Sequence, residues 1–551
     1  MYTQKIIFIF CLTLLNNCLI YTQTVSAVKW GNEFREPSNT FVNKIIGFDN
    51  DEMFVLRNRY TNEYESNNKI YIEKFNSELN ISKANDINLK FEGKKLNFQE
   101  AVLMKGKLYL LSSFHNRSKE ISYLFYQQVD KEKLQAERDI TKLSEIKTGS
   151  YKNAGLFSTK VSKDSSKLAV ISQLPSDKNK QEQFSIQVFN DGMQQLWQKN
   201  IRLPYNDENL SLEEYIIDNQ GNIYITGVLY EDKAKVRRKG KPTYKYVIIS
   251  YKNEGTIEHV NKIDLGNQFI TDMTYRVAND GNLICSGFYS GKGTYSIKGT
   301  FYFRLNTASN EISELNTKEF PFDFLTEYLS ERNKEKAKNA LEAGKTNALP
   351  ELYQYSLDDL IIRSDGGAVL IAEQYYIEER FDRYNNGFGG FSPYGGYSPW
   401  GWGGYNGYNR MEYVYYYNDI IVVNLQPNGD LEWVTRIPKR QSTIDDGGYF
   451  LSYAKGVVKD KMYFIFNDNA KNYYKEQQKA SDKIYSYTGS NSVVTLATIN
   501  QNGEVSVEPL YNNNETESTI RPKLCKQIGK KEMLLLSEDG RKIKFGKLIF
   551  E

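Results

Sequence analysis

A hairpin signature recurs along this chain about eight times, and it constrains the fold more than any other feature. Asp218-Asn219-Gln220-Gly221-Asn222 leads into Ile223-Tyr224-Ile225-Thr226-Gly227. Asp280-Gly281-Asn282 leads into Leu283-Ile284-Cys285-Ser286-Gly287, and Ser364-Asp365-Gly366-Gly367 into Ala368-Val369-Leu370-Ile371-Ala372. Each is a tight Gly/Asn/Asp turn feeding an apolar strand. A second set of turns has the same chemistry: Asn190-Asp191-Gly192, Asn253-Glu254-Gly255, Pro427-Asn428-Gly429-Asp430 and Asn500-Gln501-Asn502-Gly503. A four-stranded unit repeated at this spacing predicts an all-β fold, a single closed β-propeller.

Eight units can be placed, starting near Val42, Leu96, Ala154, Leu212, Thr271, Leu357, Tyr449 and Thr519. Seven blades, with one unit misread, is the alternative count. The eighth unit runs out one strand short. Trp30-x-x-x-Phe34 matches Trp197-x-x-x-Ile201 and Trp433-x-x-x-Ile437, two outer strands. The N-terminal strand is therefore predicted to complete the last blade, which removes the exposed edges of an open array.

The first residues read as an export signal: Lys5, an apolar run from Ile6 to Leu15, and Val25-Ser26-Ala27 before a start near Val28. The expected division is a signal peptide over 1–27 and the propeller over 28–551. That places the protein outside the cytoplasm, in the periplasm or at the outer membrane, with an extracellular location left open. The apolar run is too short to span a bilayer and no later segment is long enough, though peripheral membrane association stays open. With 71 basic and 68 acidic residues, the chain lacks the basic excess of a nucleic-acid protein. After cleavage only Cys285 and Cys525 remain, in strand-like runs, and read as small buried hydrophobes.

Chemistry is sparse. The two histidines, His115 and His259, have no metal-spaced partner, and the Asn-rich turns lack the carboxylate spacing of a calcium loop. No cofactor, metal site or catalytic residue is expected. What the sequence does localise is a set of insertions. Turns joining strands a to b and c to d are short, so the irregular sequence falls on the opposite face. Units four to seven carry the insertions: the basic loop 233–241 with Arg237 and Arg238, a helix over about 321–346, a Gly/Tyr-rich loop over 385–409, and a Lys/Tyr-rich loop after Asp468. Loops held by a rigid scaffold are where binding is usually found. Tyr394, Tyr397, Trp400, Trp402 and Tyr405 of the Gly/Tyr tract, with Arg237 and Arg238, are the candidate partner-binding residues.

Acidic residues also recur where inner strands begin: Glu213, Glu214, Asp272, Asp358, Asp359, Asp445 and Asp446. In a closed ring these can converge on the mouth of the central channel. Such carboxylates can serve glycoside hydrolysis, hold a cation, or simply be solvated.

The stretch Asp218–Gly227 resembles the bacterial propeller repeat D-x-x-G-N-x-Y-x-T-G. Asn418-Asp419-Ile420-Ile421-Val422, Gly429-Asp430-Leu431-Glu432-Trp433, Ile437-Pro438-Lys439 and Asp445-Asp446-Gly447-Gly448-Tyr449 resemble uncharacterised secreted propellers of Bacteroidota-type Gram-negative bacteria. That resemblance implies an envelope location and carries no catalytic residues. The expected function is non-enzymatic: a scaffold docking an envelope protein on the insertion face of blades four to seven, as an accessory subunit of an outer-membrane complex. The alternative is a propeller that binds or hydrolyses a glycan with the channel-mouth carboxylates.

Overall fold

Eight antiparallel sheets of four or more strands follow one another along the chain, and their inner strands begin within a few residues of the expected unit starts. The computed structural model describes residues 28–59, 69–175, 181–206, 208–345, 348–381, 411–473, 484–489, 492–512 and 519–550. The inner strands of blades one to seven are Thr40–Asp49, Asn97–Met104, Leu156–Val161, Leu210–Ile217, Phe269–Val277, Tyr355–Ile362 and Ala454–Val458. In blade eight the inner strand is broken. Short pieces, Thr519–Ile520 and Lys526–Gln527, flank a 3-10 turn at Pro522–Leu524, because Pro522 has no N–H to donate to a ladder.

The turn sequences do the work expected of them. The Asp218 carboxylate accepts from the backbone N–H groups of Gln220 (2.9 Å) and Asn222 (2.8 Å), and Asn222 Nδ2 donates to its second oxygen. Asn222 Oδ1 then accepts from the N–H of Asn253, tying the a–b turn to the c–d turn. In the next blade Asp280 accepts from the N–H and Nδ2 of Asn282, two residues on, and Asn282 Oδ1 again accepts from the c–d turn, at the N–H of Thr307. Both kinds of short turn therefore lie on one face of the disc.

The second strand of each blade is buried on both sides, because neighbouring blades cover its two faces. Leu283–Ser290 is buried at every position, whereas the outer strand Ile257–Ile263 is buried only at Asn261 and Ile263. Apolar clusters join blades one to two, two to three and so on round the ring. One of them holds Val55 of blade one, Ile465 of blade seven and Leu535 of blade eight, so the ring is closed. The N-terminal strand supplies the missing edge of blade eight: Trp30 pairs with Gly546 and Phe34 with Ile543. The related tryptophans couple blades. Trp197 lies against Gly255, the c–d turn of blade four, and Trp433 against Gly503, the c–d turn of blade seven. A Cβ at Gly503 would stand 2.7 Å from the Trp433 ring, so this packing needs glycine as much as the turn does. Burying Trp197, which is 7% exposed, contributes on the order of 1.5–3 kcal/mol. Cys285 and Cys525 are buried free thiols, as expected.

The helical insertion is two helices rather than one, Phe322–Thr326 and Glu331–Glu342, with Ser330 at the start of the second. Phe324 and Leu325 pack on the core between blades five and six, while Tyr328 and Leu341 are exposed. Arg436 of blade six holds the first helix, lying 4.7 Å over the Phe324 ring and 4.4 Å over Tyr328.

Candidate binding site

The inner strands of blades one, two, four, five and six each carry a bulge, at Asn43, Gln99, Glu213, Thr271 and Asp358. A bulge re-aims side chains, and the residue after each one is charged: Lys44, Glu100, Glu214, Asp272 and Asp359. These groups link neighbouring blades. Lys44 bonds Glu100 at 2.5 Å, and Glu100 accepts from Thr159 at 2.6 Å. Arg276 bridges Glu214 (3.5 Å) and Asp359 (2.9 Å), and Lys455 of blade seven reaches Asp359 at 2.9 Å. Asp272 accepts from the backbone N–H of Leu357 at 3.0 Å.

Where blades six, seven and eight meet, a cavity of about 740 Å³ opens beside these strands. Its walls include Asp358, Asp359, Glu373, Tyr375 and Tyr417 of blade six, Tyr453 and Lys455 of blade seven, and Lys523 and Lys526 of blade eight. Beneath it lies a fully buried polar network. Lys439 Nζ donates to Glu373 (2.7 Å), to the Tyr417 carbonyl (3.0 Å) and to Gln441 (2.9 Å), while Ser452 Oγ donates to the other Glu373 oxygen at 2.7 Å. Gln441 continues to the Asn467 carbonyl, and Asn467 to the Ile520 backbone. A network satisfied in this way fixes the geometry of the cavity floor.

Asp358 reaches the cavity with its side chain exposed to the cavity's solvent, while the protein atoms of the walls stand close around it. That crowding, with the Glu373 charge nearby, pushes its pKa up to about 6, against the Tyr453 hydroxyl (2.7 Å), Lys455 and Lys439, which favour the ion. Burial also works against ionisation of Asp359, but Lys455 and Arg276 outweigh it and hold that carboxyl below its ordinary value. Burial lowers both Lys523 and Lys526.

A ribbon rises from the same place. Strands Ala368–Phe381 and Met411–Leu425 stay paired as far as Phe381 opposite Met411, and Gln441–Ile444 adds a third strand at the base. Tyr375 stands opposite Tyr417, Ile377 opposite Tyr415 and Glu379 opposite Tyr413, so one face of the ribbon carries these side chains up from the cavity. Other insertions are bonded to one another around the rim. Arg237 donates to the Lys292 carbonyl at 3.0 Å, Lys292 Nζ to the Leu349 carbonyl at 2.6 Å, Ser296–Ile297 pairs with Leu352–Tyr353, and Gln374 donates to the Tyr353 carbonyl at 3.0 Å.

The expected site residues separate accordingly. Arg237 and Arg238 sit exposed in a small hairpin, where Arg237 also serves the rim contacts. Glu213 is exposed at its bulge, Glu214 and Asp359 share Arg276, and Asp358 and Asp359 line the cavity. Asp445 and Asp446 instead follow the third strand beside the ribbon: Asp445 accepts from the N–H of Tyr413, and Asp446 from the N–H of Gly448. Tyr394, Tyr397, Trp400, Trp402 and Tyr405 lie outside the described residues. Glu373, Lys439, Tyr453, Lys523 and Lys526 were not singled out by sequence. They come from separate stretches, and nothing in their spacing marks them.

Among the described residues no group of His, Cys, Asp and Glu is arranged to hold a metal ion, and no helix is long and apolar enough to cross a membrane. No protein-family model matches the chain, and no curated relative does. Solved structures with some likeness are propellers and related proteins. The Dos1 propeller is 8% identical, with 94% of each chain covered and a TM-score of 0.40. The β-propeller domain of the Trilobed protease from Pyrococcus furiosus is 10% identical, covering 86% of this chain and 98% of that one, with a TM-score of 0.32. A protein of unknown function from Bacteroides caccae is 10% identical, covering 67% and 90%, with a TM-score of 0.26. At these levels the propeller assignment rests on the eight sheets themselves.

Proposed function

We propose that this chain is an exported, non-catalytic binding protein of a bacterial cell envelope, holding a protein partner on the insertion face of blades four to seven as an accessory subunit of a larger complex. The carrying observation is that the insertions of adjacent blades bond to one another, from the Arg237 hairpin through Lys292 and Tyr353 to the blade-six ribbon. Independent solvated loops have no reason to be welded into one crest. Exposed Tyr295 and Tyr353 of blades five and six, with Ile377 and Tyr413 of the ribbon, give that crest apolar contact area.

The test is affinity capture from mildly solubilised native-host envelopes, using the chain from Val28 beside a variant lacking Asn386–Tyr408. One stoichiometric partner, lost with the deletion, is expected. Equal recovery by both, or recovery by neither, contradicts the reading.

The glycan reading has one observation in its favour, a cavity carboxyl at Asp358 whose pKa is about 6. Against it, Asp359 is committed to Lys455 and Arg276 rather than poised opposite Asp358 as a second catalytic carboxylate. Sugar turnover abolished by Asp358→Asn would reverse the preference.

A further inference from the structure

Two lysines of the cavity between blades six and eight form no ion pair at contact distance among the described residues, although Glu373, Asp446 and Asp358 attract Lys523 from farther off. Of the cavity's three lysines, Lys455 is answered by Asp359 at 2.9 Å. Lys523 Nζ donates to the Tyr417 hydroxyl (2.7 Å) and the Gly448 carbonyl (3.3 Å), and Lys526 Nζ to the Ile45 carbonyl (3.4 Å). Among the described residues neither lysine has a carboxylate within ion-pair distance. The cavity's acids are engaged elsewhere: Glu373 by Lys439 and Ser452, Asp359 by Lys455 and Arg276, and Asp358 by Tyr453. Lys526 is half-buried and Lys523 stands exposed at the cavity mouth, so both ammonium groups are open to an incoming anion, which would complete a pairing that the protein's carboxylates do not make at contact distance.

The wall chemistry favours a peptide over a sugar as the source of that anion. Tyr417, the ring a sugar would stack on, has Lys523 Nζ 4.2 Å over it and Tyr375 packed 4.6 Å away. Ile361, Val457 and Pro522 give the methylenes of an acidic side chain something to lie against. A volume of about 740 Å³ admits a short segment rather than a whole domain. We propose that this cavity receives a carboxylate of an acidic segment of the docked partner, held by Lys523 and Lys526. This rests on the docking reading for the source of the segment, but the cavity's preference for an acidic peptide is testable alone.

Acid strengthens the binding. Asp358 is faced by Asp359, Glu373, Tyr417 and Lys439 of its own blade, by Tyr453 and Lys455 of blade seven, and by Lys523 of blade eight. Ionised, it repels an incoming carboxylate; protonated near pH 6, it does not. Affinity therefore rises several-fold from about pH 7.5 to about pH 5.5, where a ligand carboxylate is still charged.

Calorimetric titration of the chain from Val28 tests this with three probes: a glutamate-rich peptide blocked at both ends, the same peptide with a free C-terminus, and an oligogalacturonate. Both peptides are expected to bind, the free C-terminus showing whether a terminal carboxylate adds to side-chain ones. Lys523→Gln with Lys526→Gln is expected to weaken binding by about tenfold or more. Asp358→Asn should bind more tightly at neutral pH and flatten the pH dependence, a gain that misfolding cannot produce. Peptide affinity unchanged in the double-lysine variant overturns the proposal. So does oligogalacturonate binding where the peptides fail, or failure of all three probes. An envelope partner held equally well by the double-lysine variant sinks the cavity's role and leaves docking standing. Lysine-dependent peptide binding without any envelope partner does the reverse.

Discussion

Charged side chains are buried at two junctions of this ring, and they are matched differently. At the seam where the N-terminal strand closes blade eight against blade one, Arg57 is fully buried between Glu36 (2.6 Å) and Glu73 (2.8 Å). Arg521 lies 3.6 Å from Glu538 and 3.5 Å over the Tyr449 ring, and Arg541 bonds the Glu36 carbonyl. Each cation there reaches a group on another strand or blade, the closing segment included, although Arg57 Nε and Nη2 and Arg521 Nε and Nη1 are buried without a hydrogen bond of good geometry, so Arg57 between its two carboxylates is the best matched of them. At the junction of blades six to eight the buried pair Lys439 and Glu373 is matched in the same way, yet Lys523 and Lys526 beside the cavity bond only a hydroxyl and backbone carbonyls. Matched charge specifies which strand closes the ring. Unmatched charge beside a cavity is stability left unclaimed, as expected where a ligand is to complete the pairing.

Breaking the seam gives the largest effect. Arg57→Met strands two buried carboxylates and should cost about 3–5 kcal/mol in urea unfolding, with part restored by adding Glu73→Gln. A loss under about 1 kcal/mol would remove the distinction between the two junctions.

An intermediate effect comes from pH. Burial raises Glu538 from 4.5 to about 7 in the folded protein, with Arg521 pulling the other way. A carboxyl raised on folding stabilises most when protonated, so its contribution is full below about pH 4.5 and is lost as pH rises to about 7. The stability of the native chain relative to Glu538→Gln should therefore fall across that window and level off above it. A difference that is flat, or that rises, means Glu538 is ionised in the seam.

The smallest effect sharpens the comparison from the other side. Lys523→Gln should change unfolding free energy by less than about 1 kcal/mol, because no ion pair is lost. A cost near that of Arg57→Met would make Lys523 a structural residue and undercut its reading as a ligand group.

Much of this architecture was legible in the sequence because propeller turns are local chemistry. Asp218, Gly221 and Asn222 act within five residues of one another, so their recurrence fixed the blade starts, and the Trp30 spacing placed the closing strand. The insertion face followed from which turns were short. The cavity did not follow, since Glu373, Tyr453 and Lys523 meet only after three blades have packed. Of the acidic residues noticed at strand starts, Asp358 and Asp359 line the cavity, whereas Asp445 and Asp446 serve backbone turns. Spacing alone does not separate those cases. The broken helix was also hidden: Phe324, Leu325, Tyr328 and Leu329 keep helical spacing up to the break, and only Ser330 hints that a second helix begins.

The most direct test of the binding reading compares the two faces of the disc in the native envelope. A photoreactive amino acid is placed at Tyr353, on the insertion face, or separately at Gln220, in an exposed a–b turn of the opposite face. Cross-linking to one defined protein from Tyr353 and not from Gln220 is the predicted result. A cross-link from Gln220 alone, or none from either position, would contradict an insertion-face scaffold.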